Sequence, residues 1–252
     1  MTRRRAISAD EPKASVASSR LPVLYSTLSP LSPERHGSLR LKEARDFSFA
    51  AAQNAIPLSA DEFPAALRDY PIVIADGAVP APVALLGLET GKNPMVDADG
   101  AWQSGKYIPA YLRRWPFLMV EEGEGADRSI LCADLGATMF TEQASEGQPL
   151  FEDAKPSASL QKVLDFVTKL DASTRRTRAM MQELQKLDLL QPSQATITRD
   201  GRTLSASGFL MVAEDKLRAL PDDVLAGLAR RGVLALITTH HLSLGRFSEA
   251  WS

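Results

Sequence analysis

Phe63-Pro64-Ala65-Ala66-Leu67-Arg68-Asp69-Tyr70-Pro71-Ile72-Val73-Ile74 returns 45 residues later as Ile108-Pro109-Ala110-Tyr111-Leu112-Arg113-Arg114-Trp115-Pro116-Phe117-Leu118-Met119. Five of the twelve positions are identical, and others keep their character, Tyr70 against Trp115 among them. Each copy reads as a short helical turn, an aromatic-Pro step and a buried strand. Proline opens the turn because its φ is preset and the N–H it lacks has no partner there anyway. The second proline pushes the residue before it out of the helical region, so the turn stops and an extended run follows. Both strands are expected in one sheet, with Leu67 and Leu112 buried.

Around this repeat the chain is proline-punctuated from Leu21 to Ser59. Asp46-Phe47-Ser48-Phe49-Ala50 alternates polar with aromatic, the period of a half-buried strand. Ile56-Pro57-Leu58 fits only a sheet edge, since Pro57 has no N–H to give. After the first copy, Pro82–Leu88 is a second apolar run and Met95-Val96 a short third. Asp97-Ala98-Asp99-Gly100 has part of a calcium loop's spacing, but no distal glutamate follows at the required place, so a tight turn is expected. Phe117–Val120 pairs with Ser129–Ala133 across an acidic turn, Glu121–Asp127. Cys132 lies inside that apolar run with no histidine near it, the setting of an inert buried thiol.

Gly136–Lys155 is polar and reads as a linker. Ser157 or Ser159 caps a long helix, running from about Ser159 to Leu189 or bending at the polar break Asp171–Thr174. Arg175, Arg176 and Arg178 read as a solvated face. Ala195–Thr198 pairs with Thr203–Ala206 across Arg199-Asp200-Gly201-Arg202, and Gly208–Val212 continues as a buried strand. Glu214–Leu220, a helix opened by Pro221, and a helix from Val233 to near Leu244 complete the chain, with Gly232 as the stop between the last two. The fold class is therefore α+β: a largely antiparallel sheet built around the two helical-turn/strand repeats, with the C-terminal helices packed on one face. Residues 1–20 read as a disordered tail and 21–246 as a single domain, mainly β over 21–135 and mainly α with a hairpin over 157–246. Residues 247–252 are a short tail.

Composition narrows the function. Charge is nearly balanced, 29 basic against 31 acidic residues, and without the Arg-rich first twenty it is 24 against 29. A mildly acidic body does not suit nucleic acid, which needs a clustered basic surface. One cysteine excludes a disulfide framework. Residues 1–20 have a basic start but no apolar core of a secretory signal, and no run of 18 apolar residues occurs, so the expected location is cytoplasmic, with no membrane span. Three histidines are few, and the adjacent pair, about 100° apart on a helix, does not easily face one metal; one of the pair should be buried and hydrogen-bonded. No Gly-rich phosphate loop, Gly-x-Ser-x-Gly elbow or His-Glu-x-x-His motif is present, and no cofactor is expected.

The second copy is the more aromatic and more basic. It has Tyr111, Arg114 and Trp115 where the first has Ala66, Asp69 and Tyr70. With Trp102, Tyr107 and Arg113 nearby, these are residue types enriched at binding hot spots. Tyr111 and Arg114 are three apart, share a face and are expected to be substantially exposed, while Leu112 and Trp115 point inward. The candidate ligand- or partner-binding residues are Trp102, Tyr107, Tyr111, Arg113 and Arg114.

Several runs together resemble the bacterial SapC family over residues 21–246. They are Arg35-His36 to Phe49-Ala50, Glu62-Phe63-Pro64, Tyr70-Pro71-Ile72-Val73, Ala84–Leu88, Val96–Gly100 with Trp102, and Tyr107–Phe117. Gly147–Phe151, Asp200-Gly201-Arg202, Gly208–Leu217 and His240–Gly245 continue the match. The resemblance implies a non-catalytic accessory protein, linked to a bacterial surface layer or to TonB-dependent nutrient uptake and working through a protein partner. Surface association is thus a second expectation for its location. The alternative it leaves is a small-ligand-binding protein or enzyme, associated with cupin-like and halogenase-like proteins.

Overall fold

The computed structural model describes residues 21–43, 46–121, 129–199 and 201–248. The two tails at 1–20 and 249–252, most of the acidic turn at 122–128, and Asp200 lie outside the described residues.

Strand β1 (Leu28–Pro30), the turn α1 (Pro33–His36) and β2 (Arg40–Leu41) come first, then β3 (Ala55–Pro57). A 3-10 turn, Ala60–Glu62, runs into α2 (Phe63–Ala66), followed by β4 (Ile72–Ala75) and β5 (Ala81–Leu85). The second copy supplies α3 (Ala110–Arg114) and β6 (Phe117–Glu121), with β7 (Ser129–Asp134) as its hairpin partner. Four two-residue strands follow: β8 (Phe140–Thr141), β9 (Gln148–Pro149), β10 (Phe151–Glu152) and β11 (Lys155–Pro156). Then come α4 (Ala158–Lys186), the long hairpin β12 (Leu190–Arg199) and β13 (Arg202–Val212), α5 (Glu214–Arg218), α6 (Asp222–Arg230) and α7 (Val233–Ser243). The fold is α+β, and the strand pairs described are antiparallel.

The two copies of the repeat do not share a sheet. β4 lies inside a five-stranded sheet of order β12-β13-β4-β5-β3, whereas β6 is the edge of a three-stranded sheet, β1-β7-β6. Burial explains the division. Ile72, Val73 and Ile74 are buried on both faces, as an interior strand must be, while β6 buries Phe117 and leaves its next three residues half-covered, as suits the edge of a small sheet. Leu112 is buried as expected, and Leu67 is only partly so.

Alternation along β4 sends its side chains to different cores. Ile74 joins Met181, Leu184, Leu210, Leu228 and Ile237 under α4, α6 and α7. Val73 faces the other side, with Leu85 and Phe209, where Leu244 and Phe247 of a final 3-10 turn close over it. Pro57 sits at the sheet edge, where its missing N–H costs nothing. β12 forms the opposite edge, with a bulge between Ser193 and Gln194. The hairpin register is the expected one: Thr196 opposes Ser205 and Thr198 opposes Thr203, with hydroxyl pairs at 3.1 and 3.0 Å.

Helix α4 is continuous through its polar break, capped by Ser157, whose Oγ accepts from Leu160 N at 3.2 Å. The break is where the helix meets the first copy. Ser173 Oγ donates to Asp61 Oδ2 at 2.6 Å, and Ala60 N donates to Thr177 Oγ1 at 2.8 Å. Asp171 and Asp61 pair with Arg175 and Arg176 on the outer side.

Two segments differ from expectation. Asp46–Ala50 is not a strand but a turn leading into a 3-10 helix, Ser48–Ala50. Asp46 Oδ1 accepts from Ser48 N at 2.8 Å, and this local side-chain bond bends the backbone that alternation alone would extend. Gly136–Lys155 is not a linker: β8 and β9 pair with β2, and β10 with β11. Leu150 and Phe151 are buried there against Phe117 and Leu160. The polar composition belongs to tight turns, including the left-handed pair Asp153 (φ 47°) and Ala154 (φ 59°) that closes the β10–β11 hairpin.

Candidate functional site

The second copy is built onto the first through one carboxylate. Glu62, buried, accepts at Oε2 from Ser59 N (2.8 Å) and Ser59 Oγ (2.9 Å), a capping box on its own turn. Its Oε1 accepts from Ala110 N (2.7 Å) and Tyr107 Oη (3.0 Å), so the same group caps the start of α3. Asp69 and Tyr70 complete the grip. Tyr107 N donates to Asp69 Oδ2 at 2.8 Å, and Tyr70 Oη donates to Tyr107 O at 2.6 Å. Burial, reinforced by Glu62, pushes the Tyr107 hydroxyl up to about 12. Arg113, exposed, lies over Tyr107 at 5.8 Å and Phe166 at 5.1 Å, and its Nε donates to Ile108 O.

Tyr111 and Arg114 are half-buried rather than substantially exposed. They hold the N-terminal segment: Tyr111 Oη donates to Val23 O at 2.8 Å, and the Arg114 guanidinium lies 4.1 Å from the Tyr111 ring and 5.7 Å from the Tyr25 ring. Tyr25 Oη in turn donates to Phe117 O at 2.7 Å. Leu112 and Trp115 point inward as expected. Trp102 is half-buried and bridges to Val96, 5.5 Å from Phe47. Tyr111, Arg113 and Arg114 therefore lie on α3 and Tyr107 in the loop before it, while Trp102 packs against the same core and is linked to them also by a chain of rings. In that chain Phe47 is 6.0 Å from Phe49, and Phe49 stacks on Trp115 at 4.0 Å and 17°. The buried side-chain donors left unpaired among the described residues are Trp102 Nε1, Arg114 Nε and Trp115 Nε1, all in this neighbourhood.

Beside Trp115 opens a cleft of about 290 Å³. Leu24, Phe49, Trp115 and Ala137 give it apolar walls; Ser26, Asp46, Ser48 and Asp134 give it polar ones. Asp134 closes β7 and is 2% exposed, accepting from Ser26 N at 2.6 Å and also from Ser26 Oγ, Thr27 N and Gly136 N. Asp46 is exposed, and hydrogen bonds from Ser48 hold its carboxyl below the usual range. Gly100 lies against both: a Cβ there would stand 2.2 Å from Asp46 Oδ1 and 2.4 Å from Ser48 Oγ. The sequence reading did not single out these polar residues. They come from three separate stretches of the chain, at Ser26, Asp46–Ser48 and Asp134, and the Asp46-Phe47-Ser48-Phe49 alternation is the one sign of an organised side.

The histidines and the cysteine are committed elsewhere. β13 pairs with β4 only at Ala75 and Ile74, and side chains of α7 take over where the ladder ends. His240 Nδ1 donates to Ile72 O at 2.7 Å and its Nε2 accepts from Val212 N at 3.3 Å, which defines a neutral ring. Ser243 Oγ accepts from Ile72 N at 2.9 Å, and His241 Nε2 donates to Val212 O at 2.8 Å. Burial drives His240 down to about 4. His36 Nδ1 accepts from Ser32 N, and burial pushes the Cys132 thiol up to about 11. Among the described residues no His, Cys, Asp and Glu side chains cluster as a metal site, and no helix is long and apolar enough to cross a membrane.

Comparison with curated proteins and with solved structures found no significant match. A family model described as SapC matches residues 31–249, nearly the whole chain. The interlocked repeat and the His240–Ser243 anchor fall within that match, and the chain belongs to the SapC family.

Proposed function

We propose that this protein is a non-catalytic accessory protein that acts by protein contacts, in a role linked to the bacterial surface layer or to TonB-dependent nutrient uptake. Membership of the SapC family supports the setting. The observation that carries a binding role is the state of the side chains best suited to chemistry. His240 spends both ring nitrogens on backbone groups, His36 and His241 each bond a backbone group, and Cys132 is a fully buried thiol held protonated. We place the contact face on the N-terminal segment that Tyr111 and Arg114 hold. Leu21 and Val23 stand there 38% and 48% exposed. Apolar groups fixed by polar anchors beneath them suit recognition, because little side-chain and loop freedom is lost on contact.

The test is affinity capture from solubilised cell envelopes with the tagged protein and its Leu21→Asp/Val23→Asp variant. The wild type is expected to retain a surface-layer protein or a TonB-dependent receptor, and the variant to lose it at an unchanged melting temperature. Equal retention by both, or retention of neither class of protein by the wild type, would overturn the reading.

A further inference from the structure

From Val233 to Ser243, helix α7 contains no Asp, Glu, Lys or Arg. Its neighbour α6 carries Asp222, Asp223 and Arg230, as a helix with a wet side does. Yet α7 has a wet side too. Val233, Ile237, His240 and Ser243 are buried, whereas Ala235, Thr238 and Leu242 are exposed and Thr239 is half-buried. These last four recur at three- and four-residue spacing and share the face turned away from the core. Leu242 is 65% exposed, the most of any large hydrophobic side chain among the described residues.

The polar side chains of α7 have their donors satisfied within the chain. Thr238 Oγ1 donates to Leu234 O at 2.9 Å, and Thr239 Oγ1 donates to Ala235 O at 2.8 Å. His240 and His241 bond backbone groups of β4 and β13. A body laid on this face therefore strands no donor and desolvates no charge of the helix, the two costs that oppose burial of a helix surface. The order of residues along the face then says which body fits. Ala235 is its small end and Leu242 its large end, seven residues or about 10 Å apart along the axis. A surface of that kind complements itself when it is turned end for end.

We propose that this face binds a second copy of the chain, α7 against α7, as an antiparallel pair about a two-fold axis. Leu242 of each copy packs over Ala235 of the other, and Thr238 meets Thr239 near the axis. Charge agrees with this arrangement. The positive N-terminal end of each helix, with Arg231 held there by Glu183, lies beside the negative C-terminal end of the other. Arg246, just past the helix, bonds Leu67 O of its own chain. Eleven residues make a helix of only about 16 Å, so the contact is small against the roughly 1,600 Å² of a standard interface. The dimer is accordingly reversible, dissociating at about 10–100 µM. It uses other residues than the contact face at Leu21 and Val23, and neither reading rests on the other.

The experiment is analytical ultracentrifugation of the full chain from about 5 to about 300 µM, a range that spans the expected dissociation constant. The average mass of the wild type should rise with concentration from one chain toward two. Ala235→Glu and Leu242→Lys, both at exposed positions, should each weaken association at least about tenfold, with the melting temperature of dilute protein unchanged. An equimolar mixture of the two variants should dimerise again, because the antiparallel pair sets Glu against Lys at one end and leaves the native Leu242–Ala235 contact at the other. A wild type that stays monomeric throughout, an association that Leu242→Lys leaves intact, or a mixture that stays monomeric would each overturn the proposal. So would a dimer that forms only after residues 249–252 are removed, since the occupant of the face would then be the chain's own C-terminal segment.

Discussion

Glu62 gives one carboxylate oxygen to each copy of the repeat, so its removal is felt on both sides. Glu62→Ala leaves Ser59 N, Ala110 N and Tyr107 Oη without their acceptor inside the protein. The expected loss is about 3 kcal/mol, the cost of stranded buried donors, read from urea unfolding. A loss under about 1 kcal/mol would mean that water or a rearranged turn replaces the carboxylate. His240 governs acid stability in a direction that can be worked out. Its folded value of about 4 lies below the ordinary 6.5, so the unfolded chain binds the proton more readily. The stabilisation is therefore complete above pH 6.5 and disappears as pH falls toward 4. From that separation it amounts to roughly 3 kcal/mol. Unfolding at pH 7.5, 5.5 and 4.5 checks it against His240→Phe. The variant should be weaker at pH 7.5, with Ile72 O and Val212 N unpaired, yet lose less than the wild type on acidification. Parallel pH profiles for the two proteins would reject the assignment.

Among the elements, α4 shows most plainly what a sequence conceals. Its polar break looks like a place to end or bend, yet Ser173 and Thr177 are the residues by which a continuous helix grips the 3-10 turn at Ala60–Asp61. Thr177→Val keeps the shape and removes the acceptor for Ala60 N. It should cost about 1–3 kcal/mol, with faster amide exchange at Ala60 and little change at Leu160. Exchange at Ala60 that stays slow would show that another group takes its N–H. The same contrast runs through the fold. The β12–β13 register, the Ser157 cap and the burial of Cys132 were legible because each rests on neighbouring residues and one face. The separation of β4 from β6 was not, since both are apolar strands after an aromatic-Pro step and only distant strands, β13 beside β4 and β1 beside β7, tell them apart. Asp46–Ala50 misled because a side-chain-to-backbone turn produces the same alternation as a strand. In the candidate site, the inward side of Leu112 and Trp115 was legible. The half-burial of Tyr111 and Arg114 was not, because the segment around Tyr25 that covers them lies about ninety residues away in the chain.

At the scale of the molecule, α4 ties two sheets that share no strand pairing. Its first half packs Leu160 and Val167 against Phe117 and Leu150, and its second half packs Met181 and Leu184 against Ile74 and Leu210. Twenty-nine residues make a rod of roughly 43 Å, long enough to serve both cores. A single cooperative transition is therefore expected, with helix circular dichroism and tryptophan fluorescence coincident. Leu150→Ala, which should cost about 2–5 kcal/mol in one core, should shift both signals together. Two separated transitions would show that the sheets unfold on their own. The far edge of the larger sheet carries a different consequence. β12 pairs with β13 on one side only, and its exposed residues from Gln194 to Thr198 are uncharged. Pro192 and the bulge beside Ser193 interrupt the first part of the strand, while the row beyond them is unbroken. Such a row is a template: in a crowded solution it is where one molecule would first add its strand to the next, and the solubility of the protein rests on how seldom that row meets another.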